Sequence, residues 1–119
     1  MFEKNLLIPC LLDIYGELIS DRKRELLDYY YEEDYSLSEI SELTGISRQG
    51  VRYAIKHAEE ALLTYEEKLG LSKKLALLHS KLSEADDIAK SLKAKHTDES
   101  IEFDRLLTLI SSAGSIMKE

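Results

Sequence analysis

The chain has no Trp, one Pro, one Cys and only five Gly among its 119 residues. A lone cysteine, Cys10, rules out a disulfide framework within one chain and gives an extracellular role no support. Set on an apolar helix face, it reads as a small core residue. β-Branched residues are nowhere clustered as a strand requires, so no strand is expected. The apolar stretch "LLIPCLL" is short, interrupted by Pro9 and followed at once by Asp13 and Glu17. It fits neither a signal peptide nor a membrane span, so a cytoplasmic protein with no membrane insertion is expected. His57, His79 and His96 fall at no metal-ligand spacing with one another or with Cys10. No glycine-rich phosphate loop is present, and the carboxylates are scattered over helix exteriors. No catalytic residue, cofactor or metal is expected, and the chain reads as a binding protein and not an enzyme.

What the sequence does have is charge and helical period. Charged residues make up 33% and apolar residues 44%, the balance of a folded, mostly helical protein. Acidic side chains outnumber basic ones 23 to 16, a net charge of −7. That excess lies wholly in residues 1–70, with 8 basic and 15 acidic groups; residues 71–119 hold 8 of each. A chain of this size buries a modest share of its surface, so a second subunit would help to close the core.

Period places the helices. From about Glu3 to Ile19, apolar residues recur at Leu6, Leu7, Cys10, Leu11, Ile14, Tyr15, Leu18 and Ile19, and Ile8 and Leu12 widen the stripe. Pro9 suits a first turn, which moves the start toward residue 8. Ser20 or Asp21 caps a second helix that faces the core with Leu26, Leu27, Tyr30 and Tyr31. Ser36 and Glu39 form a capping box ahead of a short helix, Leu37 to Leu43, with Leu37, Ile40 and Leu43 on one face. Gly45 supplies a left-handed turn, Ser47 caps the next helix, and Val51, Ile55, Ala58 and Leu62 line its buried side. That helix runs to Gly70. Ser72 can start another, in which Leu71, Leu75, Leu78, Leu82, Ala85, Ala89 and Leu92 make a coiled-coil seam. Thr97, Asp98 and Glu99 suit the start of a last helix with Phe103, Leu106, Leu107, Ile110, Ala113 and Met117 on one face. Tyr29, Tyr30, Tyr31 and Tyr35 read as packing at helix junctions.

Residues Leu37 to Lys56 match a helix-turn-helix. Ser41 is the small residue where the two helices cross. Gly45 sits in the turn with apolar Ile46 after it, and Val51, Ala54 and Ile55 are the packing positions. The run "SDRKRELLDYYYEEDYSLSEISELTGISRQGVRYAIKHAEEAL" resembles the promoter-reading region 4 of bacterial sigma factors. Through "YEEKLGL", over roughly residues 5 to 75, it looks more like the YlxM (p13-like) family of small helix-turn-helix proteins of Gram-positive bacteria. The resemblance implies an all-α fold and a role connected with the signal recognition particle, whose genes lie beside the family's. This chain departs from the family in having Gly50 where Ala is common, and Arg52 where an acidic or polar residue is common.

The expected architecture is therefore all-α: a sigma region 4-like helix-turn-helix domain over residues 1–70, then a C-terminal helical hairpin or coiled-coil pair over 71–119. If the helix beginning at Arg48 meets DNA, its outward face is Ser47, Arg48, Gln49, Arg52, Tyr53 and Lys56. Arg48 and Arg52 can bond guanine edges and Gln49 can pair with adenine. Ser47, Tyr53 and Lys56 suit phosphates, and Arg22, Lys23 and Arg24 add backbone contacts. The expected partner is DNA, and the expected state a homodimer in which the C-terminal helices pair or exchange. Two alternatives stay open: RNA, and a protein-interaction adaptor that docks on signal recognition particle components. The acidity of the N-terminal half favours the adaptor, because a DNA-binding domain is commonly basic.

Overall fold

A computed structural model describes residues 4–96 and 100–118. Among the described residues are six α-helices and no strand: α1 Ile8–Tyr15, α2 Asp21–Leu27, α3 Leu37–Thr44, α4 Arg48–Leu69, α5 Leu71–Lys95 and α6 Ser100–Lys118. A 3-10 turn, Gly16–Leu18, follows α1, and a π-helical turn, Asp28–Glu32, follows α2. The chain divides into two compact units, Met1–Ser72 and Lys73–Glu119.

The first unit is closed by twelve buried apolar side chains drawn from α1 to α4 and the π turn. α1 is shorter than its apolar stripe suggests and starts at Ile8, with Pro9 in its first turn. It buries Ile8, Leu11, Leu12 and Tyr15, whereas Leu6 is 90% exposed and Cys10 faces out. The reason is angular. At about 100° per residue, 8, 11, 12 and 15 share one side and Cys10 lies across the axis from them. The expectation of a core cysteine is thus corrected: the Cys10 thiol stands 3.7 Å from the Ser72 hydroxyl.

Ser20 caps α2, its hydroxyl accepting from the Lys23 N–H. The π turn brings the Glu33 N–H onto the Asp28 carbonyl, one residue beyond an α bond. Tyr30 is buried there, Tyr29 stacks on Tyr35 at 5.7 Å, and Tyr30 meets Tyr31 edge-on at 5.3 Å. The tyrosines pack the helix junction, as expected. Tyr31 donates to Glu59 on α4, and its own oxygen accepts from the Asn5 N–H. Burial foremost pushes the Tyr31 phenol up to about 12, and burial also raises the Glu59 carboxyl above its ordinary 4.5.

Where α4 gives way to α5, two side chains replace a local cap. Glu66 accepts from Tyr15 at 2.8 Å and from the Ser72 N–H at 3.0 Å, while the Leu71 N–H donates to the Tyr15 hydroxyl at 3.1 Å. Two first-turn N–H groups of α5 are thereby satisfied from α1 and α4. Burial, then this bond to Glu66, raises the Tyr15 phenol above its usual range.

The second unit is made differently. Lys93 pairs with Asp104 across from α5 to α6, Lys90 pairs with Asp86 along α5, and His96 lies 6.1 Å from the Phe103 ring. Of the seam residues, Ala89 is buried and Leu75, Leu82 and Ala85 are half-buried. Leu71, Leu78 and Leu92 are more than a third exposed. On α6, Phe103, Leu107, Ile110, Ala113 and Met117 are half-buried, but Leu106 is exposed. Thr97, Asp98 and Glu99, expected to open α6, lie outside the described residues, as does Glu3.

Candidate nucleic-acid interface

The helix-turn-helix is built from local rules. The Ser36 hydroxyl accepts from the Glu39 N–H, and Glu39 in return accepts from the Ser36 N–H, so the capping box is complete. α3 ends at Gly45, whose φ of 74° is the left-handed conformation that a side chain would strain. Ser41 donates to the Ile46 carbonyl at 2.6 Å, tying the turn back onto α3. Thr44 does the same locally, donating to Ile40 and accepting from the Ile46 N–H at 3.3 Å. Ile40 is buried, but Leu43 is 60% exposed, so α3 packs through Leu37 and Ile40 and not through all three expected positions. Ser47 then caps α4 by accepting from the Gly50 N–H at 3.0 Å.

Gly50 has a structural reason. A Cβ at that position would stand 2.9 Å from Ile46 Cγ2 and 3.0 Å from Ser47 Oγ. The absent side chain lets the turn close over the start of α4, which offsets the lower helix propensity of glycine.

Burying Val51, Ile55, Ala58 and Leu62 fixes the rotation of α4. At 100° per residue, that face turns Arg48, Gln49, Arg52, Tyr53 and Lys56 outward within roughly half the circumference. All five are exposed, and so is Ser47. Leu37, Arg48, Gln49 and Arg52 together line a shallow depression at the start of α4. The first turn of α4 holds no acidic residue, and a helix N-terminus favours an anion. Tyr53 and His57 lie ring to ring at 4.2 Å, extending the outward face by one turn. Considered from the sequence only as a metal ligand, His57 belongs to this face instead; the four-residue spacing from Tyr53 was the signal.

The three cations of α2 do not form a matching cluster. Arg22 is held by Glu25 at 3.3 Å and reaches the Thr44 carbonyl at 3.5 Å, which brings it to the end of α3. Lys23 is half-buried. Arg24 is exposed, with its guanidinium over Gly16.

Five of the fifteen acidic side chains of residues 1–72 are held by hydrogen bonds or ion pairs. Glu39 belongs to the capping box, Glu25 holds Arg22 and Tyr29, Glu59 holds Tyr31, Glu66 serves the α4–α5 junction, and Asp34 pairs with Lys4. The Lys4 hydrogen bond, foremost, draws the Asp34 carboxyl below its ordinary range. Among the described residues no cluster of His, Cys, Asp or Glu could hold a metal ion, and no helix is long and apolar enough to cross a membrane.

Residues 2–104 match the family model described as "Putative helix-turn-helix protein, YlxM / p13 like". The chain is 56% identical over 69 residues to the UPF0122 protein of Caldanaerobacter subterraneus subsp. tengcongensis, spanning 58% of this chain and 59% of that relative. It is 48% identical over 87 residues to a UPF0122 protein of Thermoanaerobacter sp. strain X514, covering 73% and 72% of the two chains. With the UPF0122 protein of Listeria welshimeri the identity is 39% over 102 residues, covering 86% and 91%.

Proposed function

The chain belongs to the UPF0122 family of YlxM / p13-like helix-turn-helix proteins, and from that membership and the outward face of α4 we propose that it is a DNA-binding regulatory protein. The observation that carries this reading is the uninterrupted polar and cationic run Ser47, Arg48, Gln49, Arg52, Tyr53 and Lys56 on an exposed helix face whose first turn holds no acid. In a major groove, Arg48 and Arg52 bond guanine edges and Gln49 an adenine, and Tyr53 and Lys56 meet phosphates. The Ser47 oxygen accepts the cap bond, and its proton remains available to a phosphate. Arg22 would contribute from the end of α3; Lys23 and Arg24 would contribute little to the same contact. As a homodimer, the protein presents two such helices, which suits paired half-sites.

Fluorescence anisotropy with mixed-sequence duplex DNA over a salt series tests the reading, run beside the Arg48→Ala, Arg52→Ala, Lys56→Ala triple variant. Binding with a log–log salt slope of roughly −3 to −5, lost in the variant, is expected. No binding at about 50 mM salt would overturn it.

A second reading is favoured by the 8 basic and 15 acidic residues of positions 1–72. On it, the protein is an adaptor of the signal recognition particle pathway that docks on a particle component. The triple variant would then keep its partner affinity.

A further inference from the structure

Arg48, Gln49 and Arg52, which read bases in the function proposed above, line the depression at the start of α4 together with Leu37, which has no part in it. The depression measures about 380 Å³, and Leu37 is its apolar side chain. Leu37 is the first residue of α3 and is half-buried: it packs against the core cluster and also borders this opening. Its place is fixed from both sides. The Ser36–Glu39 capping box holds the first turn of α3, and the Ser41 hydroxyl, donating to the Ile46 carbonyl at 2.6 Å, holds the turn that leads into α4. The leucine is thus kept beside the three polar side chains by bonds that do not involve them.

We propose that Leu37 is a specificity-determining residue: its methyl groups take the 5-methyl group of a thymine in the major groove, beside the bases that Arg48, Gln49 and Arg52 bond. This rests on the DNA reading of α4 and adds to it a base position read without a hydrogen bond.

Chemistry selects thymine as the occupant. Of the four bases, thymine alone presents a methyl group in the major groove. Arg48, Gln49 and Arg52 can satisfy the donors and acceptors of a base edge, but the Leu37 side chain can satisfy none. A polar edge or a phosphate set against it would lose water without gaining a hydrogen bond, whereas a methyl group gains by leaving water. Cytosine in the same place would leave the space beside the leucine empty.

Topology agrees with this choice. In a helix-turn-helix the first helix crosses the backbone and the second enters the groove. Leu37 belongs to the first helix, yet it borders the side chains that the second helix turns toward the groove. A thymine methyl projects into the groove on the side of its own strand's backbone, which is where a residue of the first helix reaches.

Duplexes selected by the wild-type chain from a randomised pool provide the test. Each thymine of the selected sequence is replaced in turn by uracil, which removes the 5-methyl group and leaves the base-pairing groups in place. Fluorescence anisotropy should find one position at which uracil weakens wild-type binding about fourfold, the equivalent of one buried methyl group. Leu37→Ala should bind the thymine and uracil forms of that duplex equally. Leu37→Met, which keeps an apolar side chain, should retain the preference, and circular dichroism should show both variants folded. The uracil scan of the wild type needs no variant, so it stands even if Leu37→Ala unfolds. No position sensitive to uracil, or an equal loss in the wild type and in Leu37→Ala, would overturn the proposal and leave the DNA reading intact. A pool from which the wild type retains no duplex would overturn the DNA reading, and the thymine contact with it.

Discussion

The two units are both helical, yet they are stabilised in opposite ways. Residues 1–72 surround twelve buried apolar side chains with helices of 7 to 22 residues, and they carry all of the net charge. Residues 73–119 have two long helices, one described buried side chain and no net charge. A unit of the first kind can close around itself and keep a polar helix face for a ligand. One of the second kind leaves most of its apolar side chains half-buried or exposed. Regular helical period is thus a poor measure of self-sufficiency: the strictest repeat in the sequence belongs to the less buried unit.

The largest effect that sharpens this contrast is a core truncation on each side. Ile55→Ala should destabilise the first unit by about 2–5 kcal/mol in urea unfolding, because Ile55 is fully buried. Leu78→Ala, made under conditions where the chain is monomeric, should cost less than about 0.5 kcal/mol. Equal losses would mean that the second unit has a core of its own.

Next is the α4–α5 junction. Tyr15→Phe removes the acceptor for the Leu71 N–H and a donor to Glu66, and should cost about 1–3 kcal/mol in the same assay. A loss confined to the first unit's transition would show that these bonds serve that unit. Gly50→Ala should cost about 1 kcal/mol despite alanine's better propensity, since its Cβ meets Ile46 and the Ser47 cap. Stabilisation by this change would refute the crowding argument.

The smallest effects are titrations. Tyr31 keeps its proton in the folded state to about 12, against an ordinary 10.0 when unfolded. Its contribution to stability is complete below about pH 10 and is lost as pH rises toward about 12. Glu59 is raised too, so its contribution is complete below its ordinary 4.5 and is lost as pH rises through its folded value. Ultraviolet titration of tyrosinate, with Tyr31→Phe as the difference, should remove a phenol that ionises at about 12. Both groups lie in the first unit and are raised foremost by burial, whereas Lys90 of the second unit is raised foremost by its bond to Asp86.

The motif itself was legible in the sequence because its parts are local. Ser36 with Glu39, Gly45, Ser47 and the buried steps Val51, Ile55, Ala58 and Leu62 each follow from short-range geometry. The outward face of α4 follows from the same steps. Less legible was anything decided by where one element meets another. Cys10 and Leu43 fit apolar stripes but point away from the helices that cover their neighbours. The π turn at Asp28–Glu32 has no local signature beyond its tyrosines, and the tertiary cap from Tyr15 and Glu66 joins residues about fifty apart in sequence. His57 was legible only by pairing it with Tyr53.

Hydrogen exchange of the full chain, followed residue by residue across a dilution series, tests the contrast between the units most directly. Amides of α1 to α4 should keep their protection at every concentration, while those of α5 beyond Ser72 and of α6 should lose protection as the protein is diluted. Protection in α5 and α6 that is as strong as in α4 and independent of concentration would contradict it.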